Sequence, residues 1–298
     1  MIQRNKNIRF IGVPFCSGAN REGTQYAPIY LIESMQLNND MYSMLSIPQK
    51  RMSLETFREA SVNNYPEVLL MKENLKLEMA NVLDTYKNVI VLGGDHSISM
   101  GSISGLLEKK PNIGVIWIDA HTDINTETTS PSGNAHGMPL ASLMGICNSE
   151  INNNDKKLNP KNVFWIGARD IDDGEWENIK KLGIEKNVFT CSMVHQFGMR
   201  KIIQNIHKLL IENTIEQLHV SFDIDVMDPS IVTATGTPVL DGLTEQECDI
   251  LISELFDNKM PHVVSIDFVE YNPLMDNANH QTRLWCLKIL KKIQDLLY

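Results

Sequence analysis

Short apolar runs that favour β-structure alternate along the chain with segments whose apolar residues recur at helical spacing. The runs predict strands at residues 8–13, 89–92, 114–118, 163–166, 188–190, 219–222 and 263–266. Because these runs are nearly continuous and do not alternate with polar residues, they are typical of a parallel sheet that is covered on both faces.

Amphipathic segments separate the predicted strands. One apolar stripe lies within residues 75–86 and another within 202–210, each at the spacing of one helical face. Thr244 and Glu247 have the spacing of a capping box, and residues 280–297 have the pattern of a final helix. The alternation predicts right-handed βαβ crossovers and an α/β fold with a central, mostly parallel β-sheet.

The remaining segments give no sign of a domain boundary. Residues 148–160 are polar and rich in asparagine, which predicts a surface loop. No linker-like change of composition interrupts the sequence, so we expect a single domain over residues 1–298.

The composition of the chain limits its expected binding partners and its expected cellular compartment. The formal net charge of -10 would repel a polyanion, which argues against a nucleic-acid partner. The five cysteines are widely spaced and odd in number, which favours a reducing compartment over a disulfide framework. No apolar stretch approaches the roughly 18–20 residues of a membrane span, and no signal peptide is evident. We therefore expect a cytoplasmic protein that binds neither nucleic acid nor membrane.

Three short polar motifs each follow a predicted strand. They are Gly-Gly-Asp-His-Ser at 93–97, Asp-Ala-His-Thr-Asp at 119–123 and Ser-Phe-Asp-Ile-Asp at 221–225, and their candidate metal ligands are His96, Asp119, His121, Asp123, Asp223 and Asp225. The carboxyl ends of parallel strands open onto one crevice, so these side chains are expected to converge. Each motif alone also fits a buried histidine or a loop acid, whereas the three together favour a metal centre.

The chemistry of this ligand set predicts two divalent ions. Four carboxylates in one crevice repel one another, and two divalent ions would balance their charge. Oxygen and imidazole ligands without thiolates suit Mn²⁺ best, with Co²⁺, Ni²⁺ or Fe²⁺ as substitutes. Magnesium is disfavoured by the histidines, and zinc usually takes more nitrogen or sulfur. The expected chemistry is two-metal hydrolysis by a hydroxide that metal coordination generates at neutral pH.

The three motifs, in this order, resemble those of the ureohydrolases, the family of arginases, agmatinases and their relatives. The resemblance extends from Gly12 to Pro273, and it implies a three-layer α/β/α sandwich around the parallel sheet. It also implies that one manganese ion is held by His96, Asp119, Asp123 and Asp223, and the other by Asp119, His121, Asp223 and Asp225. A hydroxide that bridges the two ions would attack the guanidinium carbon of the substrate and release urea and an amine.

The same resemblance assigns substrate and catalytic roles. His136, in the loop 130–137, would transfer a proton, Glu270 would pair with the guanidinium, and Asp123 would be catalytic as a metal ligand. The expected substrate contacts are Asn125 and Ser132 at an α-carboxylate, Asp172 (beside Asp170) at an α-amino group, and Thr235 near the guanidinium. Without the resemblance, His136 would also fit an ordinary loop histidine and Glu270 a solvated acid.

This pattern is most like that of an arginase, which converts L-arginine and water to L-ornithine and urea. An agmatinase or a related guanidino-acid ureohydrolase is the nearest alternative, and a non-catalytic protein that binds arginine or metal is a more distant one. The family also implies a homo-oligomer, a trimer or a hexamer. The chain departs from the common pattern at Val226-Met227 and Asp241, where glycine is usual, and at Glu245-Gln246, where Tyr-Arg is usual.

Overall fold

An eight-stranded sheet runs through the described part of the chain, and all of its paired strands are parallel. The computed structural model describes residues 8–47, 62–147, 150–152 and 154–297. The strands are β1 Ile8–Gly12, β2 Tyr42–Met44, β3 Asn88–Leu92, β4 Gly114–Ile118, β5 Val163–Ala168, β6 Val188–Thr190, β7 Gln217–Asp223 and β8 His262–Val269. The seven predicted strands are therefore confirmed, and β2 is an addition that the sequence pattern did not indicate.

Helices cover both faces of this sheet. They are α1 Ala27–Ser34, α2 Tyr65–Val82, α3 Ser99–Lys109, α4 Pro139–Met144, α5 Asp173–Leu182, α6 Cys191–Phe197, α7 Met199–Glu212, α8 Glu245–Leu255 and α9 Gln281–Leu297. One buried apolar cluster joins the sheet to α2, α3, α4 and α5, and the other joins it to α1, α6, α7, α8 and α9. The three-layer α/β/α sandwich is thus confirmed, because successive strand residues point into opposite layers.

Two local predictions have different outcomes. The capping box of α8 is confirmed, since Thr244 Oγ1 accepts from the Glu247 N–H at 3.3 Å and Glu247 Oε2 accepts from the Thr244 N–H at 2.9 Å. The surface loop predicted for 148–160 is partly wrong, because Ile151 and Leu158 are buried. Residues 148, 149 and 153 of that segment lie outside the described residues.

Strand order determines where the polar motifs meet. The order across the sheet is β2-β1-β3-β8-β7-β4-β5-β6, so β8 and β7 lie between β3 and β4. His96 follows β3, Glu270 follows β8, Asp223 ends β7 and Asp119 follows β4. Neighbouring strands lie about 4.8 Å apart, so the carboxyl ends of these four adjacent strands deliver their side chains to one crevice.

The loop after β1 joins this crevice through a close backbone approach. Gly94 donates its N–H to Val13 O at 3.1 Å, and Asp95 donates to Phe15 O at 3.1 Å. A Cβ atom at Gly94 would collide with the Phe15 carbonyl oxygen, so the second glycine of the first motif is sterically required. Within the described ranges, no helix has the length and apolar character needed to cross a membrane.

Candidate metal centre

The six predicted ligands converge beyond the carboxyl ends of β3, β4 and β7. His96 Nδ1 lies 3.0 Å from Asp119 Oδ2, 3.1 Å from Asp123 Oδ2 and 3.2 Å from Asp223 Oδ2. None of these contacts has hydrogen-bond geometry, and this buried nitrogen has no hydrogen-bond partner among the described residues. One ring nitrogen that faces three carboxylate oxygens in this way matches the donor arrangement of a cation site.

A second group of ligand atoms adjoins the first. His121 Nδ1 lies 3.2 Å from Asp225 Oδ2 and 3.3 Å from Asp119 Oδ1. Ligand atoms of His96, Asp119 and Asp223 all lie within 4.8 Å of one another, and so do those of Asp119, His121 and Asp225. Asp119 is common to both groups and directs one oxygen to each histidine, which is the geometry expected of a bridging carboxylate. The second bridge, through Asp223, stays a prediction.

Short turns after the strands aim these side chains. Asp119 Oδ1 accepts from the His121 N–H at 2.7 Å, and Asp223 Oδ1 accepts from the Asp225 N–H at 2.8 Å. Such turns bring alternate residues to one side of the chain. Asp123 and Glu270 have left-handed backbones, with φ of 49° and 66°, which cost residues other than glycine about 1 kcal/mol or more.

The electrostatics of the cluster are those of a site built for positive charge. Burial, followed by Asp119, raises the pKa of Asp123 to about 6, and burial with Asp225 and Asp119 raises that of Asp223 well above its usual range. Burial alone would lower the pKa of His96, but three neighbouring carboxylates outweigh it and raise that pKa well above its usual value. The protein's own groups do not balance the negative charge of these carboxylates. The donor set of oxygen and imidazole fits Mn²⁺.

His136 and Glu270 lie beside this cluster. His136 Nδ1 is 3.3 Å from Glu270 Oε1, and the same oxygen accepts from the His96 N–H at 2.8 Å. Burial alone would lower the pKa of His136, but Glu270, together with Asp123 and Asp95, outweighs burial and raises it to about 9. Glu270 is buried and does not line the adjoining cavity, so its predicted contact with a guanidinium stays a prediction.

A cavity of about 190 Å³ opens over the cluster. Its wall includes the predicted substrate contacts Asn125, Ser132 and Asp172 together with Asp170. Asn125 Nδ2 donates to Asp172 Oδ2 at 2.8 Å, so two of these side chains already form a pair. The polar wall and the carboxylate–imidazole cluster at its base suit a small, charged ligand.

Two neighbouring threonines have different positions. Thr235, predicted to contact substrate, is fully buried and does not line the cavity. Thr237 lines it instead, and its hydroxyl donates to Asp225 Oδ2 at 3.1 Å. Sequence reasoning named Thr235 as the substrate contact and missed Thr237, which lies two residues further along the chain.

Glu175 is a second residue that sequence reasoning missed. It lines the cavity, and its carboxylate accepts from the Ile124 N–H at 3.1 Å and from the Asp172 N–H at 3.0 Å. Glu175 thereby joins the segment after β4 to the start of α5. Its spacing from Asp172 is that of a capping box, which was a usable signal.

The departures from the common motifs have structural positions of their own. Val226 and Met227 are buried in the apolar layer behind Asp225. Asp241 has a left-handed φ of 60°, a conformation that explains why glycine suits this position. Glu245 Oε2 lies 2.7 Å from Lys288 Nζ, so its charge is paired within the chain.

The chain has a parallel sheet with a double carboxylate–imidazole cluster at its carboxyl edge. This combination of fold and site is that of a metal-dependent α/β hydrolase. Comparison with known proteins makes this class specific, because the model of the Arginase family matches residues 6–294. The chain therefore belongs to the Arginase family, the ureohydrolases that its motifs resemble.

Individual relatives agree with this assignment over most of the chain. The arginase of Staphylococcus aureus strain MRSA252 is 36% identical over 286 residues, which are 93% of this chain and 93% of that protein. The crystal structure of Entamoeba histolytica arginase in complex with L-ornithine superposes with a TM-score of 0.85 at 31% identity, covering 97% of each chain. The native arginase structure from Bacillus caldovelox has a TM-score of 0.84 at 32% identity, covering 96% of this chain and 97% of that one.

Proposed function

We propose that this chain hydrolyses L-arginine to L-ornithine and urea with two Mn²⁺ ions bound. The observation that carries the proposal is the position of His96 Nδ1, which faces three carboxylate oxygens at the base of a polar cavity. His96, Asp119, Asp123 and Asp223 would hold one ion, and Asp119, His121, Asp223 and Asp225 the other. Two bound divalent ions supply the chemistry of activating water at neutral pH and polarising the substrate.

Within this scheme His136 moves the proton. Its Nδ1 faces Glu270, which leaves Nε2 as the nitrogen that can exchange a proton in the cavity. The departing amine must gain a proton as its bond to the guanidinium carbon breaks, and an imidazole at the cavity wall can donate it. Glu270 orients His136 and, with its own carboxylate, is the proposed partner of the substrate guanidinium.

The outer part of the cavity supports an amino-acid substrate. Asn125 and Ser132 offer an amide and a hydroxyl suited to an α-carboxylate, and Asp172 offers a carboxylate suited to an α-ammonium group. Agmatine lacks the carboxylate, so it would leave Asn125 and Ser132 without their ligand. The Entamoeba histolytica relative, whose structure contains L-ornithine, supports the same substrate class.

The loop that carries Ser132 and His136 is held in place by hydrogen bonds to two other segments, one just before α2 and one after β1. Asn63 donates its N–H to Gly133 O at 2.8 Å, and its amide Nδ2 donates to Ser132 O at 3.0 Å. His136 donates its own N–H to Gly18 O at 3.0 Å. These contacts support a preformed substrate loop, which lowers the entropic cost of binding.

A side-by-side assay tests the proposal. Purified protein is freed of metal with chelator, loaded with Mn²⁺ and assayed for urea release from L-arginine and from agmatine, with Co²⁺, Ni²⁺ and Fe²⁺ loading in parallel. We expect hydrolysis of arginine, with the highest rate for Mn²⁺, and a large preference over agmatine in kcat/KM. Better hydrolysis of agmatine would move the assignment to an agmatinase, and no urea from either substrate would leave a non-catalytic binding protein.

We further propose that the chain is a single catalytic domain, cytoplasmic and assembled as a trimer or hexamer. The family match over residues 6–294 supports one domain. All five cysteines are free thiols, which supports a reducing compartment. The homo-oligomer rests on the resemblance to the family.

A further inference from the structure

A column of polar side chains lies inside the sheet beneath the metal centre. His219 and Ser221 on β7 pair in register with Ser265 and Asp267 on β8, and all four are at most 1% exposed. They share one face of their strands with the ligand Asp223. Buried polar groups in an apolar layer are costly unless they are hydrogen-bonded, so the partners of this column indicate its role.

Hydrogen bonds connect the column to a metal ligand. His96 Nε2 lies 2.7 Å from Ser221 Oγ, and Ser221 Oγ lies 3.2 Å from Ser99 Oγ at the start of α3. Ser99 Oγ then donates to Asp267 Oδ2 at 2.7 Å. The path from His96 to Asp267 therefore runs through two hydroxyls, and all of its members are buried.

The direction of these hydrogen bonds follows from Asp267. An ionised carboxylate only accepts, so Ser99 must donate to it and is left with lone pairs that accept from Ser221. Ser221, whose hydroxyl donates its hydrogen bond to Ser99, can only accept from His96 Nε2. The ring proton of neutral His96 is thereby held on Nε2, which leaves the lone pair on Nδ1.

The surroundings of Asp267 keep it ionised. Burial alone would raise its pKa, but His219, Ser102 and Ser99 outweigh burial, and the net pKa lies below its usual value. His219 Nε2 is 3.4 Å from Asp267 Oδ2, and Ser102 donates to the same oxygen. On its other side His219 Nδ1 lies 2.8 Å from Ser265 Oγ.

We infer that Asp267 is a positioning residue of the metal centre, which acts through Ser99 and Ser221 to present the Nδ1 lone pair of His96 to a bound ion. The inference rests on the proposed function, since it requires an ion at His96. It assigns the buried carboxylate a role in metal affinity, whereas a network that only stabilises the sheet would have no such role. Partners of metal-bound histidines typically change metal affinity by about 10–100-fold.

Two serines offer a matched test. Ser99 and Ser102 both donate to Asp267 Oδ2 and both are fully buried, but only Ser99 lies on the path to His96. Metal-free wild type, Ser99→Ala, Ser102→Ala, Ser221→Ala and Asp267→Asn are titrated with Mn²⁺, and free Mn²⁺ is followed by electron paramagnetic resonance. Melting temperatures without metal report the purely structural cost of each substitution.

We expect Ser99→Ala, Ser221→Ala and Asp267→Asn to weaken one of the two Mn²⁺ sites by about 10–100-fold, and Ser102→Ala to change it by less than about threefold. Ser99→Ala and Ser102→Ala should lower the metal-free melting temperature by similar amounts. Equal Mn²⁺ affinities for these two variants, with two ions bound to the wild type, would overturn the inference and leave the proposed function intact. Failure of the wild type to bind Mn²⁺ would instead overturn the proposed function.

A second measurement covers the case in which Ser99→Ala does not fold. Wild-type protein and Asp267→Asn, both with ¹⁵N-labelled histidine, are loaded with diamagnetic Zn²⁺, and the ¹⁵N chemical shift of the protonated Nε2 of His96 is compared by NMR. A shift that differs between the two proteins supports the inference. An unchanged shift overturns it.

Discussion

Half-buried His136 and fully buried Glu270 form a pair in which His136 Nδ1 lies 3.3 Å from Glu270 Oε1. The backbone N–H of His96 donates to the same oxygen. One carboxylate thus links the proposed proton donor to the segment that carries a proposed metal ligand. The pair places His136 close to the proposed metal ligands without making it one of them, so turnover and metal binding should respond separately to mutation.

His136→Ala should lower kcat by about a hundredfold or more and leave the Mn²⁺ content unchanged, because general acid–base groups contribute on that scale. Steady-state urea release and elemental analysis of the same preparation measure the two effects. Asp223→Ala is the contrasting variant, since it removes a proposed ligand and should lose metal. A wild-type rate in His136→Ala would remove the proton-transfer role.

Mn²⁺ should raise the melting temperature of the protein. Burial and mutual repulsion raise the pKa of Asp123 and Asp223, so a bound cation relieves a cost that the metal-free fold carries. A ligand at a hundred times its Kd stabilises the native state by about 2.7 kcal/mol. Thermal unfolding with saturating Mn²⁺ and with chelator measures the shift, and Asp223→Ala should abolish most of it. Identical melting curves in the wild type would contradict a metal centre here.

Asp172→Asn should raise KM for arginine at least about tenfold, because a charge-assisted contact to the α-ammonium group would be lost. Asparagine remains a good helix N-cap, so the start of α5 should survive the substitution. Asp170→Asn is the matched control, since Asp170 also lines the cavity. Steady-state kinetics decide the matter: equal effects of the two substitutions would show that Asp172 has no special contact with substrate.

The burial of Lys72 should make the free energy of unfolding depend on pH. This side chain is fully buried and donates to Ile151 O at 2.8 Å, and burial lowers its pKa from 10.5 to about 8. Between these two pKa values the unfolded chain binds more protons than the native state, so Lys72 makes the free energy of unfolding rise with pH. The rise is complete above the unfolded pKa and absent below the folded one.

The matched variant for this effect is Lys72→Met. Metal-free wild type should gain stability relative to Lys72→Met by at most about 3 kcal/mol as pH rises from 8 to 10.5, the interval set by the two pKa values. Chemical denaturation at several pH values measures the difference. A difference that is constant across this interval would show that Lys72 is not perturbed by burial.

The proposed oligomer should persist although Glu245-Gln246 stands where Tyr-Arg is usual. Glu245 is paired with Lys288 in its own chain, and exposed pairs are worth at most about 1 kcal/mol. Light scattering across a dilution series should give a trimer or hexamer for both wild type and Glu245→Ala. An active monomer at every concentration would reject the proposed assembly.

The sequence predicted those parts of the fold that depend on local patterns. Apolar runs located seven strands, and polar motifs directly after strands located the candidate ligands. The runs could not give the strand order, because insertion of β8 and β7 between β3 and β4 depends on packing between distant segments. β2 escaped prediction because three residues at the sheet edge make too short a pattern.

Within the site, sequence reasoning was limited by side-chain direction. Thr235 and Thr237 have the same chemistry and lie two residues apart, and only the folded loop shows that Thr237 lines the cavity. His219 and Asp267 lie within strands, where a polar residue only interrupts the apolar pattern and gives no indication of its role. Their role emerges only from cross-strand neighbours, which a single sequence does not reveal.

The central position of β8 has a consequence for how the chain reaches its native state. This strand comes from the last quarter of the described sequence, yet it lies between β3 and β7 in the middle of the sheet. During synthesis, β3 and β7 would expose unpaired backbone edges until β8 has emerged and inserted between them. We therefore expect nascent chains that end before β8 to be prone to aggregation and to depend on chaperones.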